Sequence, residues 1–383
     1  MEQIIIGGVI SFLATFLAIP IVLRVAEEKK LYDLPDDDRK LHKKPIASLG
    51  GIGIFIGFII SILLSSIVAD KPEFSYFMAA ATLIFFIGLK DDLINLSAKT
   101  KFFAQLIISA ILIFKGGLLI NNMYGFLGIY ELPQTISYFI TFLAIIVIIN
   151  AFNLIDGVDG LAGSIGLICS SIFGIFFLLN NNIPYALLGF SLSAGLLAFL
   201  IYNFHPAKIF MGDTGSLLVG LVNAILAIKF IQTSNTNNFV EINCIPAIAF
   251  GILLLPLLDT LRVFTIRIFK RKSPFTPDRN HLHHLLLDSG LNHKQVTFTS
   301  ILISLFFVIS TYFFQFVGTT ILILSQITLF FAMVYFVFNY TEKTKAIKLT
   351  KSLAINNSDD LETQRKNKIK FISIPGKSLV EQK

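Results

Sequence analysis

Residues 150–163 read NAFNLIDGVDGLAG. They follow an apolar run at 135–149 and lead straight into another at 161–179. Asn150, Asn153, Asp156 and Asp159 recur every third residue, and in a helix such positions share one broad face. Gly157, Gly160 and Gly163 interrupt regular helix and let the backbone approach a ligand closely. A structural loop has no need of four polar groups in register at the edge of an apolar segment. Charged groups are costly in hydrocarbon, so acids placed at its border mark a candidate site.

The same pattern recurs along the chain. Asp91 and Asp92 end a run at 74–89, Asp213 precedes one at 216–231, and Asp259 lies near the end of one at 241–261. The chain is 55% hydrophobic and only 14% charged, with a mean hydropathy of +0.77, which excludes an ordinary soluble domain. Spanning the hydrocarbon takes roughly 17–25 residues. About eleven runs meet that need: 3–23, 49–69, 74–89, 102–118, 135–149, 161–179, 183–203, 216–231, 241–261, 296–315 and 318–339. The expected fold is an all-α polytopic membrane protein of about eleven transmembrane helices. Residues 1–340 form the membrane domain, and 341–383 a polar, Lys-rich and flexible cytoplasmic tail.

Lys and Arg placement sets the expected orientation. Of the 31 cations, 28 fall in the segments after alternate spans and in the tail; only Lys71, Lys115 and Lys229 fall near the other side. The N-terminus is therefore expected outside and the C-terminus in the cytoplasm, with every acidic border on the cytoplasmic side. The net charge of +7 follows from this asymmetry and is not read as nucleic-acid binding. The first span has neither a basic leader nor a small-residue cleavage site, so it reads as a span and not a signal peptide. Cys169 and Cys244 fall within spans, and no disulfide is expected. Residues 116–133, with Gly, Asn and Pro, suggest an ordered excursion on the outer side.

Each motif has a plain reading beside the functional one. Adjacent carboxylates such as Asp91 and Asp92 repel, so one keeps its proton unless a cation intervenes. A divalent metal with oxygen ligands removes that conflict; a solvated helix end is the alternative. Asp213, in KIFMGDTGS at 208–216, is in isolation no more than an N-cap, but its place on the same side as the other acids favours a site. The segment SPFTPDRNHLHHLLLDSG at 273–290 carries Arg279, His281, His283 and His284. Three histidines so close could bind a transition metal, yet no Cys joins them, and donors to sugar hydroxyls and a diphosphate explain the mixture better. Arg39, Lys40 and His42 stand just before the second span, where basic groups could neutralise a lipid phosphate. For Lys43 and Lys44, topogenic charge explains them equally well.

In order, DRKLHKKPIASLGG (38–51), GLKDDLINLSAKTK (88–101), NAFNLIDGVDGLAG, FMGDTGS and PDRNHLHH resemble the polyprenyl-phosphate N-acetylhexosamine-1-phosphate transferase family, glycosyltransferase family 4, over residues 30–295. The DRNHLHH segment is similar to that of the branch using UDP-N-acetylglucosamine. The resemblance implies transfer of N-acetylglucosamine 1-phosphate from UDP-GlcNAc to undecaprenyl phosphate, giving undecaprenyl-diphospho-GlcNAc and UMP, as the first membrane step of a cell-surface glycan. The same reaction with another UDP-N-acetylhexosamine is the alternative. It implies Mg2+, for which Mn2+ can substitute, membrane lipids and a second copy of the chain as partners, no nucleic acid, and the bacterial inner membrane with the site facing the cytoplasm. By resemblance, Asp91 and Asp92 are the acidic pair tied to metal and to activating the lipid phosphate, Asp156 and Asp159 serve catalysis and nucleotide-sugar binding, and Asp213 ligates magnesium together with Asp92. Asn153, with Asn150, belongs to the nucleotide pocket; Arg279, His281, His283 and His284 recognise the sugar nucleotide; Arg39, Lys40 and His42 meet the lipid phosphate. The rival class is a cation-coupled transporter. Its ion sites lie near the midplane on broken helices, commonly with internal repeats, whereas these acids lie at one border and no repeat is seen.

Overall fold

The computed structural model describes residues 1–31, 46–233, 242–271 and 281–344. Long apolar sequences become helices because a helix satisfies its own backbone polar groups where no water can. In chain order these are α1 (Glu2–Lys29), α2 (Gly50–Leu63), α3 (Pro72–Ile94), α4 (Ala98–Phe114), α5 (Gln134–Ile155), α6 (Leu161–Leu179), α7 (Ile183–Asn203) and α8 (Gly212–Thr233). They are followed by α9 (Ile245–Ile252), α10 (Leu254–Phe269), α11 (Leu282–Asp288), α12 (His293–Phe313) and α13 (Thr319–Thr344). Two short antiparallel strands, β1 (Asn122–Phe126) and β2 (Ile129–Glu131), form the ordered excursion expected at 116–133, so among the described residues the fold is all-α but for one hairpin.

Each of the eleven apolar runs falls on a helix or helix pair. Seven of the helices are long and apolar enough to cross a membrane, and the α9–α10 pair makes eight. The difference from eleven lies in α2, α3 and α4; α2 has only 14 residues. The run at 241–261, read as one span, is instead broken, with α9 and α10 bent by 78°. Pro256 explains the break. Its missing N–H and its ring are tolerated in the first turn of α10 but not within a continuous helix.

The chain divides into units at Met1–Phe331 and Ala332–Lys383, and the described part of the second continues α13. Of the tail expected at 341–383, residues 341–344 belong to α13 and the rest lies outside the described residues. In the first unit, α8 is buried along nearly its whole length and packs on α2, α3, α5, α6, α7 and α9. The periphery is apolar. Ile5, Leu13, Leu17 and Ile21 of α1 and Phe298, Leu302 and Phe306 of α12 are exposed, as lipid-facing residues are.

The two ends of α8 differ. At its first turn the preceding segment pairs with the chain entering α2: Phe210 N donates to Ala47 O at 2.9 Å, and Gly50 N and Gly51 N donate to Phe210 O and Met211 O at 2.9 Å. At its far end, Lys229 lies over the Tyr185 ring. Cys169 and Cys244 are buried and unbonded to one another.

Candidate active site

Helices α3 and α8 meet where both carry acids. Gly88 makes the meeting close, since a Cβ there would lie 2.6 Å from Thr214 Cα. One turn on, the Asp92 carboxylate accepts from Asp213 N at 2.7 Å, from Thr214 N at 2.9 Å and from the Thr214 hydroxyl. The first amides of a helix have no partner within it. Here a carboxylate from another helix supplies one, so Asp92 caps α8 at a distance of 121 residues in sequence. Gly212, just ahead, has φ +69° and lies against Asp92, a conformation and a fit that suit glycine.

Asp213 is thereby fixed in the first turn of α8, not ahead of the helix as its sequence suggested. Its Oδ1 accepts from Asn153 Nδ2 at 2.9 Å, and its Oδ2 meets Lys101 Nζ at 2.7 Å. The same ammonium meets Asp91 Oδ2 at 2.5 Å, and Leu96 N donates to Asp91 Oδ1 at 2.5 Å. Lys101 thus joins two carboxylates from different helices. The sequence reading counted it only as topogenic charge. Its signal is the short turn between α3 and α4: Ser97 caps α4 by accepting from Thr100 N at 3.2 Å, which folds the first turn of α4 back beside the end of α3.

Asp156 completes the cluster from the C-terminus of α5. Burial, then the neighbouring Asp213 and Asp92 carboxylates, push it up to about 8. Asp91, Asp92, Asp156 and Asp213 thus converge on one junction, although as placed they do not bring three carboxylate oxygens within 4.8 Å of one another.

The register read from residues 150–159 does not persist, because α5 stops at Ile155 and the chain then turns through Gly157 and Gly160. Asn153 reaches the cluster, also donating to Ser216 Oγ at 3.0 Å. Asn150 does not, as its Nδ2 donates to Gln105 Oε1 at 2.8 Å. The Asp159 carboxylate is engaged elsewhere. Its Oδ2 lies 2.7 Å from His205 Nδ1 and its Oδ1 lies 3.5 Å from His293 Nδ1. Neither histidine stood out in the sequence.

The histidine segment is the start of α11. Asp259, buried in α10, holds it: its Oδ2 lies 3.0 Å from His281 Nδ1 and its Oδ1 accepts from Leu282 N at 2.7 Å. Arg262 Nη1 approaches the same carboxylate at 3.4 Å. The rings of His281 and His283 stack at 5.4 Å, and those of His283 and His284 lie 4.4 Å apart. A Cβ on Gly157 would collide with the His283 imidazole, so this segment covers the turn that carries Asp156. Burial, then His284, lower His283 to about 3, so its ring is neutral near pH 7. Its Nδ1 is buried with no hydrogen-bond partner. Arg39, Lys40, His42 and Arg279 lie outside the described residues.

Comparison with known proteins agrees with this geometry. The family described as glycosyl transferase family 4 matches residues 74–231, which run from α3 through α8 and hold all four clustered acids. A probable undecaprenyl-phosphate N-acetylglucosaminyl 1-phosphate transferase of Bacillus subtilis is 34% identical over 315 residues, covering 81% of this chain and 84% of its own. The undecaprenyl-phosphate alpha-N-acetylglucosaminyl 1-phosphate transferase of Yersinia pestis is 29% identical, covering 74% and 77%. The decaprenyl-phosphate N-acetylglucosaminephosphotransferase of Mycobacterium leprae is 31% identical, covering 77% and 80%. With an acid cluster at one end of an apolar helix bundle and likeness over most of its length to these enzymes, the chain belongs to glycosyl transferase family 4.

Proposed function

We propose that this protein transfers N-acetylglucosamine 1-phosphate from UDP-GlcNAc to undecaprenyl phosphate, at the cytoplasmic face of a bacterial inner membrane, with Mg2+ as cofactor. The observation that carries the reading is the junction of α3, α4, α5 and α8, where four carboxylates and Lys101 meet beside the histidines of α11. Relatives named for this reaction cover most of the chain.

An oxygen of the lipid phosphate attacks the sugar-linked phosphorus. The bond from that phosphorus to the bridging oxygen breaks, and UMP leaves with the electron pair. The sugar C1–O bond is untouched, so the anomeric configuration is kept. Asp91 is the base for any proton remaining on the lipid phosphate. Asp92 and Asp213 are the residues that would hold magnesium, which when bound offsets the charge of the diphosphate. Asp92 already accepts three hydrogen bonds, and a carboxylate has about four acceptor sites, so it has room for one such contact. Lys101 holds Asp91 and Asp213 together and brings a positive charge to the place where the diphosphate charge develops. His281, His283 and His284 face the sugar nucleotide, which arrives from water. Arg39, Lys40 and His42 meet the lipid phosphate, which arrives from the bilayer.

A transfer assay with purified protein, undecaprenyl phosphate and a panel of labelled UDP-sugars tests the reading. Labelled lipid and UMP should appear with UDP-GlcNAc and Mg2+, and chelation should stop the reaction. Asp213→Asn should lower turnover severely in protein that still folds. Full turnover by that variant would falsify the magnesium assignment, and preference for another UDP-sugar would overturn the donor.

A further inference from the structure

The histidines that sequence alone proposes as a transition-metal site are the three around residue 283. The structure gathers a different set. Asp159, His205 and His293 come from the turn after α5, the segment between α7 and α8, and the first residue of α12. Each offers a ligand atom within 4.8 Å of the others, and among the described residues they are the group of three or more His, Cys, Asp or Glu so placed.

We propose that Asp159, His205 and His293 bind one divalent transition-metal ion of the zinc class, separate from the oxygen cluster of Asp91, Asp92, Asp156 and Asp213. Two imidazoles and one carboxylate make a donor set that suits zinc, cobalt, iron or nickel and discriminates against magnesium, which prefers oxygen alone. The separations fit. Zinc–nitrogen and zinc–oxygen bonds of about 2.0–2.2 Å place tetrahedral donors about 3.4 Å apart. His293 Nδ1 is already 3.5 Å from Asp159 Oδ1. His205 Nδ1, at 2.7 Å from Oδ2, needs only a small rotation of its ring. The rings stand nearly parallel at 5.1 Å, both turned to the same carboxylate.

The surroundings are those of a built site. Asp159 is fully buried at its side chain and doubly held: Ala207 N donates to Oδ2 at 3.1 Å, and the Thr297 hydroxyl donates to its backbone carbonyl at 2.8 Å. The next residue is fixed too, since Gly160 N donates to Asn203 Oδ1 at 2.9 Å. Outer contacts of this kind orient ligands. His205 is half-buried, which leaves a path from solvent. An ion here ties three chain segments into one unit, next to the turn that carries Asp156. Without an ion, the Asp159 carboxylate is hydrogen-bonded to the His205 imidazole and lies 3.5 Å from that of His293, and the two arrangements are told apart by experiment.

The full-length protein, purified in detergent and stripped by chelation, is titrated with Co2+ in excess Mg2+, so that the oxygen cluster is filled by the hard ion. One equivalent of Co2+ should bind with a visible ligand-field band that Zn2+ abolishes, and Asp213→Asn should behave the same way. His205→Gln and His293→Gln should each weaken Co2+ binding by more than about tenfold, the loss that even an outer-shell change can cause, while eluting as the native protein does. In the unsubstituted protein, Zn2+ should shield His205 from histidine-specific acylation, a readout that needs no variant. Absence of a band, its survival in the His205→Gln, His293→Gln double variant, its loss in His283→Gln or His284→Gln alone, or unchanged labelling of His205 with Zn2+ would each overturn the site.

Discussion

At the scale of residues, the site turns on one ammonium. Lys101 stands between Asp91 and Asp213, and removing it leaves two carboxylates facing each other across two helices. Lys101→Met should therefore lower transfer by at least about a hundredfold, or about 2.7 kcal/mol of transition-state stabilisation, with Lys101→Arg recovering part of it. Turnover at saturation of both substrates, on protein shown to be folded, is the measurement. The buried His283 makes a second expectation. Its folded value near 3 lies below the ordinary imidazole range of about 6.5. Between those values the unfolded chain binds the proton and the folded chain does not, so stability is whole above about 6.5 and falls as pH drops toward 3. The groups facing it are His281, His284, Asp259 and Arg262. His283→Gln should flatten the fall in melting temperature between pH 6.5 and 4, and an unchanged slope would show that another group carries it.

The four clustered acids were legible in the sequence because a carboxylate beside an apolar run is costly unless it has work there. Lys101 was not, since lysines at such borders are common for topogenic reasons. Asp159 was legible as an acid of note but not in its company: His205 and His293 are far from it in sequence, and neither sits in a patterned segment. Asn150 shared the spacing of Asn153 but looks toward α4, because a face 100° wide serves two neighbours.

At the scale of elements, the contact of α3 with α8 decides where Asp91 and Asp92 stand. Gly88→Ala would press a methyl into the backbone at Asp213 and Thr214. Such overpacking costs about 1–3 kcal/mol, and it should lower both melting temperature and turnover, with turnover suffering more because the acids move apart. A Gly88→Ala protein with native activity would show that the helices can shift without disturbing the cluster. Helix existence was readable from the apolar runs, but helix ends were not. α3 extends past residue 89 to include both acids, and α8 begins before Asp213. The start of α8 is fixed because Asp92, at the end of α3, accepts from its first amides, a tertiary effect that no local pattern encodes. The bend between α9 and α10 was written in Pro256, although the run around it reads as continuous.

At the scale of the whole molecule, the charge asymmetry of the sequence makes a claim about orientation. Residues at the α4–β1 end and residues at the α11–α12 end should lie on opposite sides of the bilayer. Single cysteines at Asn121 and Lys294, both exposed, provide the test, with Cys169 and Cys244 buried enough to stay silent. In intact cells an impermeant thiol reagent should label the first and not the second. Labelling of both would remove the cytoplasmic placement of the acid cluster. The polytopic architecture itself was plain from composition, since few soluble chains carry so much apolar sequence. The centre of the molecule was not plain: the hydropathy of α8 falls within the range of its neighbours, and only packing reveals that α2, α3, α5, α6, α7 and α9 lie against it.

The capping of α8 by Asp92 reaches further than the fold. The open N-terminus of a helix is a ready seat for phosphate, with amides and a dipole both favouring negative charge. In this molecule that seat is already taken by the protein's own carboxylate. A diphosphate arriving here finds the backbone engaged and must be recognised by side chains and by whatever ion they hold. Anion recognition at such a place can be altered one residue at a time, whereas a backbone cradle offers no single residue to change.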